Sequence, residues 1–285
     1  MAERRTLEAP PAAQAAADAQ VEAWISAQDR QVQATLRLLA QVQQRVVAAL
    51  AQVDTAHYAQ QAPALRRLLE DLGTRFRQDA SGLVQDGQRA AIPLGQAVVD
   101  APLLAAGVRL ALPEVTVPLL ESLLAFAADK VTGLSQDLVA RITTEIQLGV
   151  LGTQTPFETM QRVQDMLGLS EPPGGIAVRA ETIVRTETGR VHATATQRRL
   201  EQARRNLPDL YKEWRHGGSR LPRSGHVAAN GQRVPVDQPF MIAATVVGTR
   251  EALMFPRDPR GSARNTVNCR CTHLPWLARW AEAAA

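Results

Sequence analysis

Both cysteines of this 285-residue chain, Cys269 and Cys271, stand two apart, with His273 two further on. In a strand, alternate residues project from one face, so these three side chains would share a side. His226 lies some forty residues upstream and would complete a set of four N and S ligands. Zinc accepts such a set in tetrahedral geometry. The pairs in structural zinc sites are usually spaced more widely than Cys-x-Cys. Two small thiols packed in a mini-core, with His226 hydrogen-bonded nearby, account for the same residues. Zinc is therefore a candidate cofactor beside a metal-free clasp.

The same residues admit a second chemistry. His226, then Asn265 or Asn268, then His273 follow the order of a His-Asn-His nuclease, in which one His activates water beside a divalent metal. No Asp or His stands just before His226 to complete that metal site, and no further acidic ligand is obvious. Arg185 and Glu187 form a further charged pair; two apart on a helix, they point to different faces and cannot pair directly. No Gly-rich phosphate loop, serine elbow or paired-carboxylate motif appears.

Charge divides the chain. Residues 176–285 hold 18 Lys and Arg against 9 Asp and Glu, a net of +9, whereas residues 1–175 hold 14 against 19, a net of −5. Lys130 and Lys212 are the only lysines, and arginine favours bidentate contact with phosphate or carboxylate. A polyanion or an acidic partner is thus expected to face Arg198, Arg199, Arg204, Arg205, Arg257, Arg260, Arg264 and Arg270. Two cysteines one residue apart suit no mutual disulfide. Residues 1–5 open no apolar leader, and prolines and charges interrupt the most apolar stretch, 90–128. A soluble protein of a reducing cytoplasm is expected.

These residues need a scaffold. Ile25, Val32, Leu39, Val46 and Val53 recur every seven residues, which predicts one long helix from Gln14 to His57. A second helix is predicted from Pro63 to Asp79, ended by a glycine-containing break, with two or three more across 90–150. Thr155-Pro156-Phe157-Glu158 reads as a capping box opening a helix that ends at Gly168. Glu171–Gly175 is the expected linker. A helix then covers 176–206, with Glu181 and Arg185 paired at i,i+4. Beyond it come short strands: one around Lys212–Arg215, an Asn230-Gly231 hairpin over 225–236, and an apolar run at 240–247. The fold class is α+β: a mainly α-helical N-terminal region with long helices, then a small C-terminal α+β domain of one long helix and short antiparallel strands.

In order, Ile183-Val184-Arg185-Thr186-Glu187, Lys212-x-Trp214, Arg223-x-x-His226, Asn230-Gly231, Phe240, Phe255-Pro256-Arg257-Asp258-Pro259 and Asn268-Cys269-Arg270-Cys271 resemble the phage Mu F-like minor head protein family, also called the phage head morphogenesis domain. The resemblance covers about residues 176–275. Family members usually read Asp-Gly at Asn230-Gly231, and an Asp-x-Arg-Thr-Arg run stands where this chain has Gly218–Arg223. The resemblance implies a structural virion protein of a tailed bacteriophage rather than an enzyme. It further implies association with the portal protein and inner capsid in several copies per virion, and action in head assembly, DNA packaging or ejection after synthesis in the host cytoplasm. Genomic DNA is an implied contact. The expected layout is a disordered lead-in at 1–13, a partner-binding helical region at 14–170, the Mu F-like domain at 176–275 and a tail at 276–285. A metal-dependent His-Asn-His-type nuclease is the alternative.

Overall fold

The computed structural model describes residues 9–116, 120–167, 175–218, 222–243 and 249–282, without the side chain of Thr55. Residues 1–8 of the lead-in, Gly168, most of the 171–175 linker, Ser219–Leu221, the second half of the 240–247 run and the end of the tail lie outside the described residues. The chain is α+β as expected.

Helix α1 runs Pro11–Leu50, opening inside the stretch expected as lead-in. Its sevenfold stripe is half right. Val32, Leu39 and Val46 are buried, but Ile25 is 40% exposed and its neighbour Trp24 takes the inner position. A short 3-10 turn, Thr55–His57, replaces the helix's predicted last turns; its start is capped by Asp54, whose Oδ1 accepts the Ala56 amide at 3.0 Å.

The largest departure is α2. One helix of 48 residues, Tyr58–Ala105, replaces the predicted 63–79 helix, the break after it and the start of the next. Pro93 and glycines 73, 82, 87 and 95 all lie inside it. Each weakens a helix locally by roughly 1–3 kcal/mol. Burial answers that cost, because Leu69, Leu72, Phe76, Ala80, Val84, Ala91, Val98 and Val99 recur at helical spacing and are at most 3% exposed. Propensity yields to packing along this helix.

Helix α3 covers Leu120–Val150 and α4 Pro156–Leu167. The capping box forms as predicted: Thr155 Oγ1 accepts the Glu158 amide at 3.2 Å, and Glu158 Oε2 accepts the Thr155 amide at 2.7 Å. Helix α5, Ile176–Arg204, carries the expected Arg185–Glu181 pair at 2.7 Å. Arg185 also reaches Asp29 at 2.8 Å, while Glu187 binds Arg190 at 2.9 Å. The two motif residues thus serve different partners, as their spacing requires.

The chain divides into two compact units that interleave along the sequence rather than following one another. One comprises Asp29–Asp86 and Ser122–Arg185 and is helical. Its core joins Val32, Leu39 and Val46 of α1 to Leu69, Leu72 and Phe76 of α2, Leu134, Leu138 and Ile142 of α3, and Ile176, Ala180 and Val184 of α5. Ser135 Oγ donates to the Gly73 carbonyl at 2.7 Å, fixing the α2–α3 approach.

The other unit gathers the chain up to Gln28, Gly87–Glu121 and Thr186–Ala285. Here α5 is buried almost all round from Thr186 to Leu200. After it come β1 (Leu210–Arg215), α6 (Ser224–Ala228), β2 (Arg233–Pro235), β3 (Phe240–Ala243), β4 (Arg250–Leu253), α7 (Ala263–Thr266), β5 (Thr272–Leu277) and α8 (Arg279–Glu282). Strands order β2-β1-β5 in an antiparallel sheet, and β3 pairs with β4. One core joins Val99 and Leu103 of α2 to Leu200, Leu207, Leu210, Leu277 and Trp280. A second, smaller one contains Trp214, Phe240, Ile242, Leu253 and both cysteines.

Candidate functional site

His226 is carried by α6, a single helical turn, and is 2% exposed. The predicted hairpin over 225–236 is not formed. Asn230-Gly231 does turn the chain, with Gly231 at φ 77°, a left-handed value glycine adopts freely. The turn follows a helix, however, and β2 pairs with β1 in the register Tyr211↔Pro235. Docking decides this. Asn230 Oδ1 accepts the His216 amide at 2.8 Å and the Gly231 amide donates to the Trp214 carbonyl at 2.9 Å, seating the turn on the end of β1.

Cys269 Sγ and Cys271 Sγ each lie 3.5 Å from His226 Nδ1. On the other side of the ring, Nε2 lies 3.3 Å from Asn265 Oδ1. A carboxamide oxygen only accepts, so Nε2 carries the proton and Nδ1 presents its lone pair to the sulfurs. Asn265 Nδ2 in turn donates to Glu251, which also accepts the Ser262 amide and, at 2.8 Å, the Ser262 hydroxyl. Trp214, fully buried, meets the His226 ring edge-on at 5.5 Å and Phe240 at 5.3 Å. The mini-core expected around the thiols is present.

The two thiols are electrically unequal. A hydrogen bond from Cys271 pulls the Cys269 thiol well below its ordinary range, with His226 and the Arg257 charge helping. Donating that same hydrogen bond, together with burial, pushes Cys271 up. One negative charge shared by the pair is favoured over two.

His273 does not join them. It stands inside β5 opposite Trp214, its ring stacked on Phe255 at 6.2 Å. Neither of its nitrogens has a protein partner among the described residues. The expected alternation fails because β5 begins only at Thr272. Cys269 and Cys271 occupy irregular chain that follows Asn268, a left-handed residue at φ 52°. Period two applies only within a strand. Asn tolerates that left-handed backbone better than most residues. The Asn268 amide donates to Thr186 Oγ1 on α5 at 2.9 Å.

Arg257 is fully buried, also left-handed at φ 67°, and Nη1 donates to the Cys269 carbonyl at 2.5 Å. Its guanidinium lies where a side chain on Gly189 of α5 would be: a β-carbon there would stand 2.6 Å from Nε. Asp258, 1% exposed, accepts the amides of Met254 (2.9 Å) and Arg260 (3.0 Å). Burial works to raise its carboxyl, but the Arg260 guanidinium and those two amides together hold it below the usual range. The Phe255–Pro259 motif is thus a built turn that sends one arginine inward to hold the cysteine segment.

Other buried polar groups were missed in the sequence. His192 stacks on Trp24 at 4.1 Å and is kept neutral by burial, then by the Arg257 charge. Lys212, also buried, donates to Met254 O at 2.6 Å and Gln197 Oε1 at 3.2 Å, and burial lowers its pKa to about 7. A signal existed: Thr188, His192, Thr196 and Arg199 recur at helical spacing, a polar stripe on a helix with no free face.

The arginines sort by burial. Arg199 is 8% exposed, with Nε and Nη2 on Asp100 at 2.7 and 2.6 Å and Nη1 on the Pro113 carbonyl. It and Arg257 hold the fold together and offer nothing to a polyanion, correcting their expected role. Arg204 is half-buried and donates to the Leu210 carbonyl at 2.9 Å. Arg198, paired with Glu201 at 2.9 Å, and Arg260, paired with Asp258, are exposed, as are Arg205, Arg264 and Arg270. Among the described residues no helix is long and apolar enough to cross a membrane.

Residues 140–274 match the family described as Phage Mu protein F like protein, so the match begins within α3, upstream of the motifs read in the sequence. An uncharacterized protein, YqbB of Bacillus subtilis (strain 168), is 35% identical over 122 residues, covering 42% of this chain and 38% of that relative. No solved structure matches significantly. The likeness to the Phage Mu protein F like family thus rests on residues 140–274, and the chain spans well under half the length of the relative it matches.

Proposed function

We propose that this chain is a minor head protein of a tailed bacteriophage that docks at the portal and inner capsid and acts in head assembly and in packaging or ejecting DNA. The observation that carries the reading is the family match over residues 140–274. The motif residues support it by their roles. Arg257 and Asp258 bind backbone groups, the Asn268 amide binds Thr186, and Cys269 and Cys271 face His226, so each has a role within the fold. His226 has one nitrogen on Asn265 and the other facing two sulfurs, so its ring is not placed as a free general base of the nuclease kind. The exposed arginines suit packaged DNA or an acidic partner surface, and the acidic helices suit a protein partner.

The test is location. Cryo-EM of purified particles, with mass spectrometry of the same preparation, is expected to find several copies of the chain at the portal vertex, inside the head. Absence of the chain from both proheads and finished virions would overturn the reading.

A further inference from the structure

We infer that His226 Nδ1, Cys269 Sγ and Cys271 Sγ bind a single zinc ion, with water at the fourth position. The three candidate ligand atoms lie within 4.8 Å of one another, and all three residues are buried. With Zn–S near 2.3 Å and Zn–N near 2.05 Å, a tetrahedral site has N···S edges of about 3.6 Å. Both Nδ1···Sγ distances are 3.5 Å. Two thiols cannot both donate to the one lone pair of an imidazole nitrogen, yet both sulfurs converge on it at equal range. A metal at their common focus satisfies all three atoms at once.

The ring's far side points the same way. Ligating histidines almost always give their other N–H to a hydrogen-bonded acceptor, which fixes tautomer and orientation. Here Nε2 meets Asn265 Oδ1, and Asn265 is anchored by Glu251. His273, expected as a fourth ligand, stands apart against Phe255. Binding replaces the two thiol protons, which pass to solvent, so affinity rises with pH. The inference does not depend on where the protein sits in a particle.

The reduced full-length chain, stripped of metal, is titrated with Co²⁺ and then Zn²⁺. Saturation at one Co²⁺ per chain, with thiolate-to-cobalt charge-transfer absorption bleached by Zn²⁺, is expected. No binding, or cobalt spectra without thiolate bands, overturns the proposal. Cys269→Ser and Cys271→Ser are expected to abolish the charge-transfer bands, and His273→Ala to leave them intact. Asn265→Ala, which spares every ligand, is expected to weaken zinc by about 10–100-fold. Unchanged affinity in Asn265→Ala, or loss of the bands in a folded His273→Ala, would remove the proposed ligand set.

Discussion

Two glycines of α2 should respond to the same substitution with opposite signs. A β-carbon on Gly82 meets nothing within 4 Å. Gly82→Ala therefore gains only the backbone advantage of alanine in a helix, about 0.5–1 kcal/mol. A β-carbon on Gly95 would stand 2.5 Å from the His192 carbonyl oxygen and 2.9 Å from the Ala195 β-carbon, both on α5. Ordinary contact needs roughly 1 Å more, so the helices must part. Parting also strains the Thr196 Oγ1 bond to the Gly95 carbonyl, now 3.0 Å. Overpacking of this kind costs about 2–3 kcal/mol, and the propensity gain of about 1 leaves a net loss of roughly 1–2. Urea unfolding of each full-length variant, followed by far-UV circular dichroism, measures both. A stabilised Gly95→Ala would mean that α2 and α5 do not approach there. A destabilised Gly82→Ala would mean that the helix does not run unbroken through residue 82, and the single 58–105 helix would fall with it.

Other perturbations read the buried polar network and the surface separately. Lys212, held at a pKa of about 7 against 10.5 unfolded, binds fewer protons folded than unfolded in that window, so its penalty is complete below pH 7 and fades as pH rises towards 10.5. Lys212→Met should accordingly stabilise the protein at pH 6 by at most about 5 kcal/mol, with the advantage over wild type shrinking towards pH 10; a difference independent of pH would refute this. Arg199→Ala should cost roughly 2–3 kcal/mol by stranding Asp100 and the Pro113 carbonyl, whereas Arg205→Ala should stay within about 0.5, both measured by denaturant unfolding. Thr155→Ala removes half of the capping box and should cost about 1 kcal/mol, read by the same unfolding; no change would mean that α4 needs no cap.

The candidate site was legible as a set of residues and illegible as a geometry. Cys269, Cys271 and His226 were found from type and spacing alone, and they do converge. His273 was drawn in by a period that holds only in a strand, and the strand begins at Thr272, after both cysteines. Arg257 read as a surface cation because nothing local marks it as buried; the space it fills is left by Gly189 on another element. Glu251 and Asn265, which orient His226, meet only because α7 packs beside β4.

Local chemistry settles what short-range interactions decide. The capping box at Thr155 and Glu158, the i,i+4 pair of Glu181 and Arg185, the helix from 176 and the strand at Lys212 depend on neighbours in sequence, so the sequence determined them by itself. The tertiary structure decided wherever distant packing outweighs a local preference. It carried α2 through Pro93 and four glycines, turned Asn230-Gly231 from a hairpin tip into the seat of β2, and interleaved segments far apart in sequence into two compact units. A proline or glycine costs a helix a few kcal/mol at most, and a buried apolar stripe returns more than that. Which partner supplies the burial is written in no single stretch of the chain.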